Sequence, residues 1–176
     1  MITTQHNNMA DSGNIFSAWT CWKRPKWRYN ENWQCRALPA DRPLYGLDRL
    51  AANPTGLVVI TEGEKCADVV SDLPDVVSMT WSGGTKDVNK TDWSPLVARS
   101  VIVWPDADEA GMSAASAIIE TLKRAGANQI RRIDLGELER RRGQGALPGG
   151  FDVADLVAEG FDAKWVTELL LTAPLA

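Results

Sequence analysis

The stretch VIVWPDADEAG, Val101 to Gly111, decides how the rest of the chain reads. Val101, Ile102, Val103 and Trp104 form an unbroken apolar run closed by a proline, the pattern of a short strand buried on both faces of a parallel sheet. Charge begins where that strand ends. Asp106 and Asp108 follow one residue apart, and Gly111 opens an alanine-rich stretch. Open α/β sheets bind ligands at the carboxyl ends of their strands. Two carboxylates spaced i, i+2 in an extended loop can face one hard cation, because Mg²⁺ takes oxygen ligands and keeps several waters. Capping of the following helix accounts for the same two residues.

Beyond this stretch, Glu109 to Gly126 predicts an amphipathic helix, with Ala110, Ala114, Ala117, Ile118 and Leu122 on one face and Gly126 as its C-cap. Gln129 to Leu135 reads as a strand, and ELERRRGQGALPGG as a charged, glycine-rich loop whose Arg140, Arg141 and Arg142 are solvated or touch phosphates. The tail FDVADLVAEGFDAKWVTELLL reads as a short helix and then an amphipathic one, with Asp152 and Asp155 near the start.

On the N-terminal side, GLVVITEGEKCADVVSDL predicts a buried strand, Leu57 to Thr61, running into a helix from Glu64 to Leu73. Glu62 sits at the switch between them. It shares the sheet edge of Asp106 if the strands are parallel, as alternating strands and helices imply; Glu62 and Glu64 also suit the dipole of the helix. A strand from Val76 to Trp81 leads into SGGTKDVNKTDW, where Gly83 and Gly84 permit close approach of a phosphate, with Lys86 and Lys90 nearby. A solvated polar loop has the same composition. Residues 37–55 hold three prolines and a short helix around Leu47–Ala52, and read as a connector.

The chain has 176 residues, 44% of them hydrophobic, which fits one domain with a small appendage. No apolar run approaches the roughly eighteen residues of a membrane span, and residues 1–14 are polar, aperiodic and without a signal pattern, which predicts a disordered tail on a soluble, cytoplasmic protein. The three cysteines, Cys21, Cys35 and Cys66, form no CxxC pair and leave an odd count. They indicate neither a zinc ribbon nor a disulfide framework, and read as reduced. A net charge of −4 hides an asymmetry: residues 1–50 carry seven Lys/Arg against four Asp/Glu, and residues 51–176 carry twelve against nineteen. Nucleic-acid affinity must therefore be local or metal-assisted.

The local basic segment is WTCWKRPKWRYNENWQCR, Trp19 to Arg36, in which Trp19, Trp22, Trp27, Tyr29 and Trp33 alternate with Lys23, Arg24, Lys26, Arg28 and Arg36. Rings that stack on bases, set among cations that hold phosphates, are what sequence-tolerant single-strand binding needs. The alternative is a small β-hairpin, with YNEN as its turn and the tryptophans packed on the main domain. The chain thus divides into a tail at 1–14, a Trp-rich arm and connector at 15–50, and an α/β domain at 51–176.

Taken in order, TEGEKCAD, SGG, PDADEAG and FDVADL resemble the motifs of the Toprim domain shared by bacterial-type primases, type IA and II topoisomerases and some nucleases. The resemblance is greatest to phage and plasmid primases and primase-helicases, and covers roughly Arg42 to Phe161. It implies a Rossmann-like central parallel sheet of about four strands flanked by helices. It also implies Mg²⁺ or Mn²⁺ as cofactor, held by Glu62, Asp106, Asp108 and Asp152, with Glu62, Asp106 and Asp108 catalytic. Gly83 matches the glycine motif. The candidates for phosphate or nucleic-acid contact are Gly83, Gly84, Lys65 and Lys86, together with Trp22, Lys23, Arg24, Trp27 and Arg28 of the arm. One departure stands out: the second position of the last acidic motif falls on Ala154, with Asp155 one residue later.

Phosphoryl transfer needs little beyond metal held against phosphates and an oriented attacking oxygen, so the carboxylates and the implied chemistry agree. The implied role is the Toprim part of a mobile-element primase system, acting on single-stranded DNA or RNA and nucleotides with a separate helicase or polymerase partner. The 50 residues ahead of the domain hold no zinc ligand set of the kind such primases carry. A small metal-dependent nuclease and a non-catalytic binding module are the alternatives.

Overall fold

The computed structural model describes residues 39–176 in full, and the backbone of two strands ahead of them, β1 (Trp19–Trp22) and β2 (Gln34–Ala37). These two strands pair antiparallel, the backbone of the hairpin expected for the arm. The YNEN turn lies outside the described residues.

The connector docks on the main body: Leu44 is buried in the core and Arg42 is 6% exposed. It leads into α1 (Leu47–Ala52) and then β3 (Leu57–Thr61), α2 (Glu64–Ser71) and β4 (Val76–Met79). The strand expected to reach Trp81 stops at Met79, because Thr80 pairs instead with Tyr45 of the connector through reciprocal backbone hydrogen bonds of 2.9 and 3.3 Å. Two 3₁₀ turns, Thr85–Lys90 and Ser94–Leu96, precede β5 (Ser100–Trp104). The chain continues through α3 (Glu109–Ala125), β6 (Gln129–Arg132), α4 (Leu135–Arg142), α5 (Val153–Ala158) and α6 (Ala163–Leu171). Among the described residues, no helix is long and apolar enough to cross a membrane.

The four main strands are all parallel, in the order β4-β3-β5-β6. From β3 the chain moves to one side, then returns to lay β5 on the other side, so β3 and β5 flank the topological switch point. Crossovers of constant hand in opposite directions put their helices on opposite faces. Accordingly Val58, Ile60, Val101 and Val103 face the α3 layer, while Val59, Ile102 and Trp104 face α2, α5 and α6. Burial on both faces is why these strands read as continuous apolar runs. Tyr45 pairs with Thr80 just beyond the end of β4, while the β6 edge is paired by the C-terminal residues, through Arg132 N–H to the Pro174 carbonyl and Ala176 N–H to the Ile130 carbonyl. Pairing there removes the open edge that otherwise templates aggregation.

Two expectations are corrected. The helix face of α3 consists of Gly111, Ala114, Ala115, Ile118, Ile119 and Leu122; Ala110 is exposed, because Gly111 takes the place against the loop before it. The C-cap is Gly126 as expected, in the left-handed conformation with φ 86°. The stretch from Leu135 is not strand and then loop. β6 ends at Arg132, and Asp134 caps a helix by accepting from the N–H groups of Gly136 and Glu137. Glu137 pairs with Arg140 and Arg141 along that helix, Arg142 pairs with Glu159 at 2.5 Å, and Leu138 is fully buried beneath.

Candidate functional site

Because Thr61 and Trp104 are register partners, β3 and β5 end side by side and release Glu62 and the loop of Asp106 at the same edge. This is the crevice outside the carboxyl ends of the strands at the switch point, where open α/β sheets place ligands. Asp108 is the N-cap of α3, its Oδ1 accepting from Gly111 N–H at 2.7 Å. The capping expectation is therefore met for Asp108, using one of its two carboxylate oxygens. The loop before α5 is clasped onto the same edge: Ala107 N–H donates to the Phe151 carbonyl at 3.0 Å and Gly150 N–H to the Ala107 carbonyl at 3.2 Å. That clasp delivers Asp152 next to Asp106.

Asp152 caps α5 in a reciprocal box, accepting from Asp155 N–H at 2.8 Å while Asp155 accepts from Asp152 N–H at 3.2 Å. Ala154, where an acidic residue was the comparison, is buried on the helix face. Asp155 thus orients Asp152 through the box.

The packing of the PDADEAG turn explains its glycine. A Cβ on Gly111 would lie 2.6 Å from the Asp106 carbonyl oxygen and 2.9 Å from its nitrogen. Gly111→Ala is expected to cost roughly 1–3 kcal/mol by overpacking, and to lower the melting temperature by about 3–10 °C. A thermal melt within a degree of wild type would contradict this packing account.

The electrostatics follow from crowding. Burial, then Glu62, Asp152, Asp108 and Asp155, push the Asp106 carboxyl up to about 7. Burial and Asp108 also raise Glu62. Lys65 stands 3.9 Å from Asp152, 70% exposed, so its offsetting charge is largely screened by water. Cys66 is buried on α2, and burial first, then the neighbouring Asp152 carboxylate, push its thiol well above the ordinary range. Beneath the cluster the Thr61 hydroxyl and the Trp104 indole N–H are buried without a hydrogen-bond partner. They lie on one face at the ends of β3 and β5.

Among the described residues no group of three or more His, Cys, Asp or Glu side chains is arranged to hold a metal ion. The donors nevertheless fit a hydrated hard cation: they are all carboxylates at an open edge, and Mg²⁺ is usually held through one or two carboxylates plus waters and substrate phosphates. The burial and mutual repulsion that raise Asp106 are what such a cation would offset.

The glycine loop is the neighbouring feature. Gly63 N–H donates to Thr80 Oγ1 at 3.1 Å, tying the end of β4 to the start of α2. Gly83, at φ 97°, is required because Arg42 and Asp87 pair at 2.7 Å in the space a side chain would take. Lys90 is absorbed into the same network, bonded to Asp87 at 2.6 Å. Lys86 is exposed and Gly84 has open space around its Cα, so both stay available to a ligand. Arg42 and Asp87 went unassigned in the sequence, since their importance lies in a contact 45 residues away. Of the arm candidates, Trp22 lies on β1, and Lys23, Arg24, Trp27 and Arg28 lie outside the described residues.

No family model matches the chain, and no curated protein does. The fold is similar to two solved structures. One is the primase of Aquifex aeolicus (zinc binding and RNA polymerase domains), with a TM-score of 0.58 and 18% identity over 81% of this chain and 32% of that one. The other is a DNA primase domain from Pseudomonas aeruginosa, with a TM-score of 0.53 and 16% identity over 87% of this chain and 46% of that one. The chain therefore spans 32% and 46% of the lengths of these two chains, and its fold is similar to theirs.

Proposed function

We propose that this chain is the Toprim-type, Mg²⁺-dependent phosphoryl-transfer domain of a DNA primase system carried by a mobile element, working with a separate helicase or polymerase. The observation that carries the reading is the half-buried Asp106 carboxyl, raised to about 7 among Glu62, Asp108, Asp152 and Asp155 at the switch point of a primase-like sheet. Glu62, Asp106, Asp108 and Asp152 would hold the metal. When bound, it would neutralise the phosphates and polarise the reacting oxygen. The free oxygen of Asp108 stays directed by the capping bond of the other, and the Asp155 box holds Asp152 in place. Glu62, raised by burial and Asp108, would take a proton from an attacking hydroxyl.

Calorimetric titration with Mn²⁺ tests the metal. Wild type should bind, and the double variant Asp106→Ala, Asp108→Ala should lose at least tenfold in affinity, the loss of one charge-assisted ligand being worth about 1.4 kcal/mol or more. Equal affinity sinks the reading. Nucleotide incorporation and strand cleavage, assayed side by side with Mg²⁺ or Mn²⁺, separate primer synthesis from a nuclease.

The arm would supply the metal-independent affinity for single strands. The variant Lys23→Ser, Arg24→Ser, Lys26→Ser, Arg28→Ser should bind single-stranded DNA in EDTA about tenfold more weakly at low salt, with a flatter salt dependence. Unchanged binding would remove the arm from the nucleic-acid surface.

A further inference from the structure

We propose that the groove between α3 and α4 is a nucleotide subsite, in which Arg132 holds the phosphate and Met112, Leu135 and Leu147 receive the nucleoside. The choice of a nucleotide as occupant rests on the phosphoryl-transfer reading; a cleft for a phosphate-bearing ligand stands without it. Two cavities of about 360 and 340 Å³ meet along Met112, Leu135 and Gly136, which line both. Each falls within the roughly 300–1,000 Å³ of small-molecule clefts. The first opens at the carboxylate edge, where Ala107 and Asp108 form part of its wall, and the second ends at Arg132 and Pro174. Together they lead from the edge that holds the acidic cluster to a guanidinium.

Strand register puts that guanidinium there. Arg132 is the last residue of β6, paired with Val103 at the carboxyl edge of the sheet. It follows Ile130 by two positions and so shares its face, the α3 side, where Met112 lines the same cavity. Every other arginine among the described residues is bonded to a carboxylate, carbonyl or hydroxyl oxygen, as Arg142 is to Glu159 and Arg99 to the Gly56 carbonyl. Arg132, half-buried, has no side-chain partner among them. Asp134 lines its cavity, but the Asp134 Oδ1 accepts from the Gly136 and Glu137 N–H groups at 2.9 and 3.3 Å, and no ion pair joins the two side chains. A partly desolvated guanidinium without a partner favours an anion, and its planar fork matches phosphate in two-point contact.

The rest of the groove selects what the phosphate carries. Met112, Leu135 and Leu147 are half-buried apolar walls. Glu139 spends one carboxylate oxygen on the Leu147 N–H at 3.2 Å, leaving the other to accept from a sugar hydroxyl or a base amino group. Asp108 and Glu109 repel a phosphate at the first cavity, which fixes the direction of the ligand: phosphate toward Arg132, nucleoside toward the carboxylate edge. Inorganic phosphate would leave the apolar walls empty, and a nucleoside would leave Arg132 unpaired. A nucleotide satisfies both.

The test uses the full chain labelled with ¹³C at its methionine methyl groups, titrated in EDTA with deoxyadenosine 5′-monophosphate and followed by NMR. Met112→Leu assigns the Met112 signal, which reads occupancy of this groove alone. The expected result is a saturable shift of Met112 with Met79, buried in the core, unmoved. Arg132→Ala and the more conservative Arg132→Gln, each checked by a thermal melt, should weaken the nucleotide by about tenfold or more, the loss of one charge-assisted contact. Deoxyadenosine should bind wild type more weakly by a similar factor, and inorganic phosphate should compete while shifting Met112 less. The variant Asp106→Ala, Asp108→Ala should still bind the mononucleotide in EDTA, so failed metal binding and a failed subsite are separate results. The proposal is wrong if Met112 stays in place, if either folded Arg132 variant binds as tightly as wild type, or if deoxyadenosine matches the nucleotide.

Discussion

Asp106→Asn is expected to raise the melting temperature of the metal-free protein at pH 8 by roughly 5–10 °C while removing its response to Mg²⁺. The sign follows from the direction of the shift. Burial and four neighbouring carboxylates raise Asp106 from an ordinary 3.8 to about 7 in the folded chain. A raised carboxyl favours folding while protonated, so its contribution is complete below the unfolded value and is lost as pH rises through about 7. Above that, the folded protein carries an ionised group it disfavours, at a cost of about 2–4 kcal/mol once partial solvent screening is allowed for. Asparagine keeps the shape and discards the charge, and each kcal/mol corresponds to about 2–4 °C in a domain of this size. Melts of both proteins in EDTA at pH 5 and pH 8 check this: the gap should be large at pH 8 and small at pH 5. Added Mg²⁺ should stabilise wild type by mass action and leave the variant unmoved. A variant that melts at or below wild type at pH 8 would show that Asp106 is held by favourable contacts.

Glu62→Gln is expected to lower phosphoryl transfer by about 10²–10⁴-fold, the range for removal of a general acid or base, with the melting temperature unchanged or slightly higher. Glu62 follows the last residue of β3 and is half-buried; burial and Asp108 raise it, so an amide there relieves repulsion and leaves no core void. Single-turnover rates over pH 6–9 read the effect directly. Retention of activity within tenfold would assign Glu62 to charge placement alone. A melting temperature several degrees lower would make it structural.

The two strands that frame the site were legible because burial on both faces forces a bounded apolar run: Leu57–Thr61 lies where it was expected, and β5 begins one residue before Val101. The caps were legible too, since Asp108 before α3 and Gly126 after it act through backbone groups within their own turns. α4 was not. Its sequence LGELERRR buries only Leu138, so it shows no helical period, and it exists through an Asp134 cap, glutamate–arginine pairs and the docking of one leucine into a core built by distant segments.

The sequence by itself therefore determined the alternation of strands and helices and the carboxylates at the strand ends, because those depend on periodicity and on neighbours within a few residues. Only the tertiary structure decided the strand order that makes β3 and β5 flank a switch point, and the clasp of Ala107 with Gly150 and Phe151 that brings Asp152 to Asp106. It also decided the crowding that raises Asp106. Each of these is a relation between segments far apart in the chain. Local propensity carries no information about it, and packing against the two faces of the sheet selects it.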